Sequence, residues 1–234
     1  MQKARVTPSL ALVGACSSPI LVIDGFDGDP LRVVVTAAAL SPFPSAEGTY
    51  YPGLRRPLTR EDKTAWRYVE RSVRAVAPFV GRAFGVAAFD LLAASFSIVT
   101  SLPATLSPVQ RIPHFDSANP KVLAMLHYLG GTTGTGTAFY RQRSTGIEMV
   151  DEENRAAFIA AASPASASAT GYINASDNHF EQIAFVPAKP DRLVVYQSAL
   201  LHSGIIPADL PFSADPSVGR LTANFFLELA DRHQ

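Results

Sequence analysis

The pattern of hydrophobic and polar positions changes at about residue 94. Beyond this point, short apolar runs rich in β-branched and aromatic residues alternate with Gly, Pro, Asn and Asp, which is typical of β-strands joined by turns. We predict eight strands, near SFSIVTS, RIPHFD, KVLAMLHYL, GTAFYRQR, QIAFVPA, RLVVYQS, LHSGII and RLTANFFLEL. The segment AKPDR predicts a hairpin turn between the fifth and sixth of them. Eight short strands in about 135 residues favour a jelly roll.

The chain before residue 94 predicts one strand and two helices. PILVIDGF is β-rich, and DGDPLRVVVTAAAL offers Asp29 as N-cap with Pro30 at the first helical position. Thr59 and Asp62 resemble a capping box before the amphipathic segment REDKTAWRYVERSVRAVAPFV. The proline-rich segment SPFPSAEGTYYPGLRRPL predicts a surface loop without regular structure. Among the later strands we predict one helix, DEENRAAFIAAA, followed by the loop SPASASATG.

These elements predict a mainly β protein with supporting α-helices, built on a double-stranded β-helix (jelly roll). We expect residues 1–234 to form a single domain, with residues 1–93 supplying an N-terminal strand and supporting helices and residues 94–234 the β-helix core. The length of 234 residues and the hydrophobic content of 47% are sufficient for one large core.

The composition limits the classes of binding partner and the cellular compartment that we expect. Lys+Arg and Asp+Glu both number 20, and no long run of one sign occurs, so we expect no nucleic-acid partner. Cys16 is the single cysteine, which suits a reducing compartment. Pro8 and Gly14 interrupt the N-terminal apolar run, and no stretch approaches the roughly 20 apolar residues of a membrane span. We therefore expect a cytoplasmic protein without a membrane partner, and the oligomeric state stays open.

A histidine and an aspartate stand one residue apart in RIPHFDSANP. On a strand His114 and Asp116 would project from the same face, with Phe115 on the other. Two neighbouring ligands on one face are the beginning of a metal site. The alternative is that His114 caps a turn and Asp116 opens the loop toward Pro120.

A metal site needs a third ligand, and we favour His202. It follows the apolar strand RLVVYQS, and Gly204 next to it allows a close approach of backbone or ligand. His179 lies in a polar loop, and His233 is expected to be solvated near the C-terminus. The alternative for His202 is a hydrogen-bonded core histidine.

Two imidazoles and one carboxylate on an octahedral ion leave three positions open. Non-haem Fe(II) oxygenases use this arrangement to bind a cosubstrate and O₂. A structural zinc site would close all four positions, usually with thiolates that this chain lacks. The ligand set therefore favours iron.

The last predicted strand offers a site for the distal carboxylate of 2-oxoglutarate. Its periodicity places Arg220, Thr222 and Asn224 on one face. An arginine fork beside a hydroxyl group suits a carboxylate. The alternative is an arginine on the solvated face of an edge strand.

The order PHFD, LHYLGG, GTAFYR, LVVYQSALLHSG and GRLTANFF resembles the prolyl-hydroxylase-like branch of the Fe(II)/2-oxoglutarate-dependent dioxygenases, over roughly residues 94–230. The segment ILVIDGFDGDPLRVV is similar to the strand and helix before the core of many of them. The resemblance implies iron held by His114, Asp116 and His202, with Arg220 as the ionic partner of 2-oxoglutarate. It also implies succinate and CO₂ as coproducts.

Two positions depart from the family pattern. Arg220 stands farther beyond His202 than in many relatives, which we interpret as an enlarged loop. His127 occupies a position where many relatives have a tyrosine that reaches 2-oxoglutarate. Because His127 shares its predicted face with Leu123 and Met125, it is either that contact or a core histidine.

Residues near the mouth of the barrel would select the substrate. The candidates for recognising a carboxylate on a small molecule or peptide are Arg141 and Arg143 on one strand, and Tyr50, Tyr51, Arg55 and Arg56 on a loop. The alternative is that they are ordinary surface residues. The sequence thus predicts an Fe(II)/2-oxoglutarate-dependent oxygenase that hydroxylates an amino acid, peptide or small metabolite. The rival interpretations are a cupin-type metalloenzyme that does not use 2-oxoglutarate and a non-catalytic jelly-roll binding protein.

Overall fold

The computed structural model describes residues 6–46, 50–131 and 133–230, which contain ten strands, three α-helices and two short 3₁₀ helices. The strands are β1 (Thr7–Val13), β2 (Ser18–Asp24), β3 (Gly53–Pro57), β4 (Phe89–Val99), β5 (Val122–Tyr128), β6 (Gly136–Gln142), β7 (Phe180–Pro187), β8 (Arg192–Gln197), β9 (His202–Ile205) and β10 (Leu221–Leu229). The helices are α1 (Pro30–Ala38), α2 (Lys63–Phe84) and α3 (Arg155–Ser168). None of the described helices is long and apolar enough to span a bilayer.

The strands form two antiparallel sheets that lie face to face. The large sheet has the order β1-β2-β8-β5-β10-β4-β3, and the small sheet has the order β7-β6-β9. Helices α1 and α2 cover the outer face of the large sheet, where Val69 and Val76 join the same core cluster as Phe96 and Phe225. The small sheet covers the other face. This architecture confirms the predicted mainly β jelly roll with supporting helices.

Strand β10 shows why the two faces differ. Leu221, Ala223 and Phe225 are buried in the cluster beneath the helices. Thr222 and Asn224 face the small sheet instead, because side chains alternate along a strand. The predicted periodicity of this strand is therefore confirmed.

The starts of α1 and α2 follow the sequence signals. Asp29 caps α1 by accepting a hydrogen bond from the Arg32 amide (3.2 Å), with Pro30 at the first position. Before α2, the carboxylate of Asp62 accepts a hydrogen bond from the Thr59 amide (2.9 Å), and Asp62 is the N-cap. Thr59 and Asp62 thus form the predicted pair, one turn earlier than a complete capping box would place them.

Several predicted boundaries are wrong. RIPHFD is not a strand, since a 3₁₀ helix covers Pro108–Arg111 and His114 forms only an isolated bridge. The proline-rich loop contains β3, and β1 lies in the N-terminal segment for which no strand was predicted. Both are edge strands, where a residue such as Pro8 needs no partner for a missing amide.

The connections between strands also differ from the prediction. AKPDR is not a hairpin turn: β7 pairs with β6 in the small sheet, whereas β8 pairs with β2 and β5 in the large sheet. The segment therefore crosses between the sheets. Helix α3 continues through Pro164 to Ser168, so most of the predicted loop SPASASATG is helical.

A buried carboxylate fastens the turn between β1 and β2 to the rest of the fold. Glu148 accepts hydrogen bonds from the amides of Ala15 (3.0 Å) and Cys16 (3.1 Å) and from Nε of Arg141 (2.7 Å). Burial acts to raise the pKa of Glu148, but the hydrogen bonds from Cys16, Ala15 and Arg141 outweigh it and lower the pKa to about 2. The charged form of Glu148 is therefore the form that stabilises the fold.

Replacing Glu148 by glutamine is expected to lower the free energy of unfolding at neutral pH by about 2 to 3 kcal/mol. Because the folded-state pKa is depressed, this stabilisation is complete above about pH 4.5 and is lost as the pH falls toward about 2. Urea unfolding of wild type and Glu148→Gln across this pH window should show that the difference in their free energies of unfolding becomes smaller as the pH falls. The exposed Glu153→Gln is the control, and a difference that is independent of pH would contradict the assignment.

Candidate metal centre

Backbone pairing brings two distant histidines together. The His114 amide donates to the His202 carbonyl and the His202 amide donates to the His114 carbonyl, both at 2.9 Å. The Asp116 amide donates to the carbonyl of Ser198 at 2.8 Å. The short bridge thus fixes the H-x-D segment against the start of β9, although the segment is not itself a strand.

The three side chains converge as the sequence predicts. One candidate ligand atom of each of His114, Asp116 and His202 lies within 4.8 Å of the others. Asp116 Oδ1 is 3.8 Å from His114 Nε2, and Asp116 Oδ2 is 3.3 Å from His202 Nε2. The Nδ1 atom of His202 donates to the carbonyl of Leu200 (2.8 Å), so in the neutral form of His202 the lone pair lies on Nε2, the ring nitrogen that faces Asp116.

Electrostatics favour the protonation state that binds a cation. Burial and the neighbouring His202 lower the pKa of His114 to about 4, so its imidazole is neutral at neutral pH. Burial acts to raise the pKa of Asp116, but the charge and hydrogen bond of His202 outweigh it, and the pKa is lowered. Neutral imidazole and ionised carboxylate are the forms that ligate metals.

The triad opens into a cavity of about 330 Å³ between the two sheets. Its wall combines aromatic and polar side chains, among them Tyr50, Tyr51, Arg55, Arg220, Thr222 and Asn224. The cavity therefore contains the predicted cosubstrate residues Arg220 and Thr222 together with the triad.

Arg220 immediately precedes β10, and its side chain spans the gap between the two sheets. It is buried, with 4% of its surface exposed, and its Nη2 donates to the carbonyl of Gly136 at 3.2 Å. The guanidinium carbon lies 5.7 Å from the ring centre of Tyr128. A Cβ on Gly204 would be 3.8 Å from Nη2 of Arg220. Because His202 precedes Gly204 by two residues, about 7 Å along the strand, Arg220 lies close to the triad.

The Nε atom of Arg220 is buried without a hydrogen-bond partner, and no acidic group pairs with the guanidinium within the described ranges. A buried guanidinium without a counter-ion is costly. An incoming carboxylate would supply both the missing acceptor and the missing charge, so the cavity fits a carboxylate cosubstrate beside a divalent metal.

His127 lies on the opposite face of the sheet from this cavity, which corrects the expectation of a contact with 2-oxoglutarate. It is fully buried beneath α2, where Nδ1 is 2.8 Å from the hydroxyl of Tyr68 and Nε2 is 3.0 Å from the carboxylate of Asp191. The odd-numbered positions of β5 point toward the helices, as Leu123 and Met125 do. Of the two alternatives, the geometry supports the core histidine.

Replacing His127 by leucine is expected to destabilise the fold by about 1 to 3 kcal/mol, because Tyr68 and Asp191 lose their buried partner. The affinity for 2-oxoglutarate should stay unchanged. Thermal unfolding and cosubstrate titration of the same variant separate the two effects. A loss of cosubstrate affinity without a loss of stability would restore His127 to the site.

The two substrate arginines predicted on β6 also lie outside the cavity lining. Arg141 donates to Glu148 and to Glu181 (3.1 Å), and Arg143 donates to the carbonyl of Asp177 (2.9 Å). Their side chains are thus committed elsewhere, which corrects the expectation that they contact substrate.

Of the loop candidates, Tyr50, Tyr51 and Arg55 line the cavity, whereas Arg56 pairs with Asp62 at 2.7 Å. The ring of Tyr50 is parallel to that of His114, with 6.4 Å between their centres. These three residues lie on or beside β3 at the edge of the large sheet.

Sequence reasoning missed some cavity residues. Tyr196 of β8 packs edge-on against the ring of His202, with 4.9 Å between the ring centres. Tyr172 and Gln110 come from segments outside the strands. Strand alternation could have identified Tyr196, but no local signal marks the other two.

Comparison with known proteins places the chain in a family. The family model described as "Family of unknown function (DUF6445)" matches residues 4–227. The chain belongs to this family. A search of curated proteins found no sequence match to this chain.

Solved structures share the fold of the DUF6445 chain at low sequence identity. The non-heme alpha-ketoglutarate-dependent epimerase SnoN from nogalamycin biosynthesis aligns with a TM-score of 0.55 at 10% identity, over 90% of this chain and 78% of that chain. HygX from Streptomyces hygroscopicus, with nickel and 2-oxoglutarate bound, aligns with a TM-score of 0.53 at 14% identity, over 90% of this chain and 83% of that chain. AviO1 from Streptomyces viridochromogenes Tue57 aligns with a TM-score of 0.52 at 14% identity, over 97% of this chain and 90% of that chain. The fold implied by the sequence resemblance is thereby confirmed.

Proposed function

We propose that the protein is an Fe(II)/2-oxoglutarate-dependent oxygenase that hydroxylates a small molecule. The observation that carries the proposal is that Arg220, buried and lacking an acidic partner among the described residues, shares one cavity with a His-Asp-His triad. A metal triad and an unpaired buried guanidinium together suit a ligand that chelates the metal at one end and presents a carboxylate at the other.

Each residue has a role that follows from its position. His114, Asp116 and His202 would hold the iron on one side and leave three coordination positions open. Arg220 would bind the distal carboxylate of 2-oxoglutarate, assisted by the hydroxyl of Thr222. When bound, iron would supply the redox chemistry by which O₂ places one oxygen atom in succinate and one in the substrate C–H bond, with release of CO₂. The buried walls exclude water from the reacting groups.

The structural neighbours support a small-molecule substrate. SnoN has been solved with Fe³⁺, alpha-ketoglutarate and nogalamycin RO, and HygX with nickel, 2-oxoglutarate and hygromycin B. A cavity of about 330 Å³ also suits a small ligand better than a folded polypeptide. The single cysteine is consistent with our proposal of a cytoplasmic location.

The test is an anaerobic titration of the protein with Fe(II) and then 2-oxoglutarate. Chelation of Fe(II) by 2-oxoglutarate should produce a visible metal-to-ligand charge-transfer band, and admission of O₂ should then yield succinate. Iron binding without the band would favour a cupin-type enzyme that does not use 2-oxoglutarate. Failure to bind iron would favour a non-catalytic jelly-roll binding protein.

A further inference from the structure

A second arginine, Arg55, lines the cavity that holds the triad and Arg220. It lies on edge strand β3 opposite Ser97 of β4, and Ser97 in turn lies opposite Thr222 of β10. Directly opposed residues share a face, so Arg55 stands two strands, about 10 Å, from the proposed cosubstrate strand. It therefore borders the cavity from the edge of the large sheet, level with Thr222.

The side chain of Arg55 is held in place but is not neutralised. Its Nε donates to the hydroxyl of Ser97 at 3.3 Å, and its guanidinium carbon lies 4.7 Å from the ring centre of Tyr51. Across the described residues, no carboxylate comes within ion-pair distance of Arg55, whereas the adjacent Arg56 pairs with Asp62. Among the described residues, the two terminal nitrogens of Arg55 thus have no hydrogen-bond or ion-pair partner, and they present a fork to the cavity.

The charges around the cavity leave one positive charge to be balanced. Asp116 is the single acidic residue in the described lining, and Arg55 and Arg220 are the two cations. Fe(II) and the doubly charged 2-oxoglutarate cancel each other, and Asp116 cancels Arg220. The charge of Arg55 then stays uncompensated, and a partly buried uncompensated charge favours binding of an anion.

We propose that Arg55 binds a carboxylate of the primary substrate and orients it toward the triad, so the substrate is a small organic acid. This inference rests on the proposed function. Tyr50 and Tyr172 add flat apolar surface beside the cationic group. A carboxylate attached to an aromatic or similarly flat skeleton would satisfy both parts of the wall.

Phenylacetate and its uncharged isostere phenylacetamide test the proposal, because they differ mainly in charge. Calorimetric titrations are made anaerobically with the protein loaded with Fe(II) and saturating 2-oxoglutarate. Wild type is expected to prefer phenylacetate by about 10-fold or more, the equivalent of about 1.4 kcal/mol. Arg55→Gln should lose the preference, Arg55→Lys should keep part of it, and the neighbouring Arg56→Gln should match wild type.

Three results would overturn the proposal. The first is that wild type binds phenylacetate and phenylacetamide equally, or binds neither at concentrations of tens of millimolar. The second is a preference that persists in Arg55→Gln. The third is a fall in 2-oxoglutarate affinity in Arg55→Gln, seen in the charge-transfer band, which would make Arg55 a cosubstrate contact. Absence of the band from wild type would instead refute the proposed function, and the same probe titration on metal-free protein would still report on Arg55.

Discussion

Replacing Arg220 by alanine is expected to lower the affinity for 2-oxoglutarate by roughly 30- to 5,000-fold, which corresponds to about 2 to 5 kcal/mol. The guanidinium is buried and has an unpaired Nε, so a carboxylate bound there would form a desolvated, charge-assisted pair. The measurement is an anaerobic titration of 2-oxoglutarate against the Fe(II)-loaded protein, followed by the charge-transfer band.

Lysine at position 220 should restore only part of the affinity, because a point charge cannot reproduce the arginine fork. Iron affinity should stay close to that of wild type, since Arg220 is not a metal ligand. The outward-facing Arg143→Ala serves as the matched control, because it removes the same charge outside the cavity. Equal affinities in wild type, Arg220→Ala and Arg220→Lys would show that Arg220 is structural, and would favour the interpretation without 2-oxoglutarate.

The backbone around Arg220 shows how the fold delivers this side chain. Gly131 has a φ of +56°, and a Cβ there would lie 2.5 Å from the Cα of Arg220. Only glycine allows the segment after β5 to pass so close to the residue that precedes β10. The guanidinium then crosses to the small sheet, where the Gly136 carbonyl accepts its hydrogen bond. Both sheets are thus needed to place one cationic group.

The predictions from sequence succeeded where a local period carries the information. Alternation along β10 placed Thr222 and Asn224 on the cavity face, because burial of Leu221, Ala223 and Phe225 fixes the register of that strand. The capping residue and proline at the start of α1 were equally local signals. Convergence of the triad was also anticipated, although the H-x-D pair is held by a bridge to His202 rather than by a strand of its own.

The predictions failed where the outcome depends on distant partners. AKPDR looks like a hairpin turn, but strands β7 and β8 find their partners in different sheets. Arg141 shares a local pattern with substrate-binding arginines, yet Glu148 and Glu181 neutralise it. Such pairings are set by tertiary packing, and the strand pattern alone does not contain them.

The sequence also left open which side chains of β5 face the helices and which face the cavity. His127 and Tyr128 are neighbours, so one must face the helices and the other the cavity side. Pairing of Tyr128 with Thr222 decides the question, because directly opposed residues of paired strands share a face. Tyr128 accordingly lies beneath Arg220, and His127 lies beneath α2.

Replacing Asp116 by alanine is expected to abolish turnover and to weaken Fe(II) binding by more than about 100-fold. Loss of a residue that merely supports a ligand typically costs 10- to 100-fold in metal affinity, and loss of a ligand should cost more. The variant also removes the single acidic group in the described cavity lining, while both imidazoles and the cations Arg55 and Arg220 stay in place. The site would then lack the negative charge that a divalent cation requires.

The measurement is anaerobic equilibrium dialysis with Fe(II), together with succinate formation after O₂ is admitted. Asp209→Ala is the matched control, since Asp209 is an exposed acid outside the cavity. Thermal unfolding of the metal-free proteins separates a lost ligand from a lost fold, because the backbone bond from Asp116 to Ser198 persists in the variant. Full iron occupancy and activity in Asp116→Ala would show that the carboxylate belongs to a turn, and the metal would then need another acidic ligand.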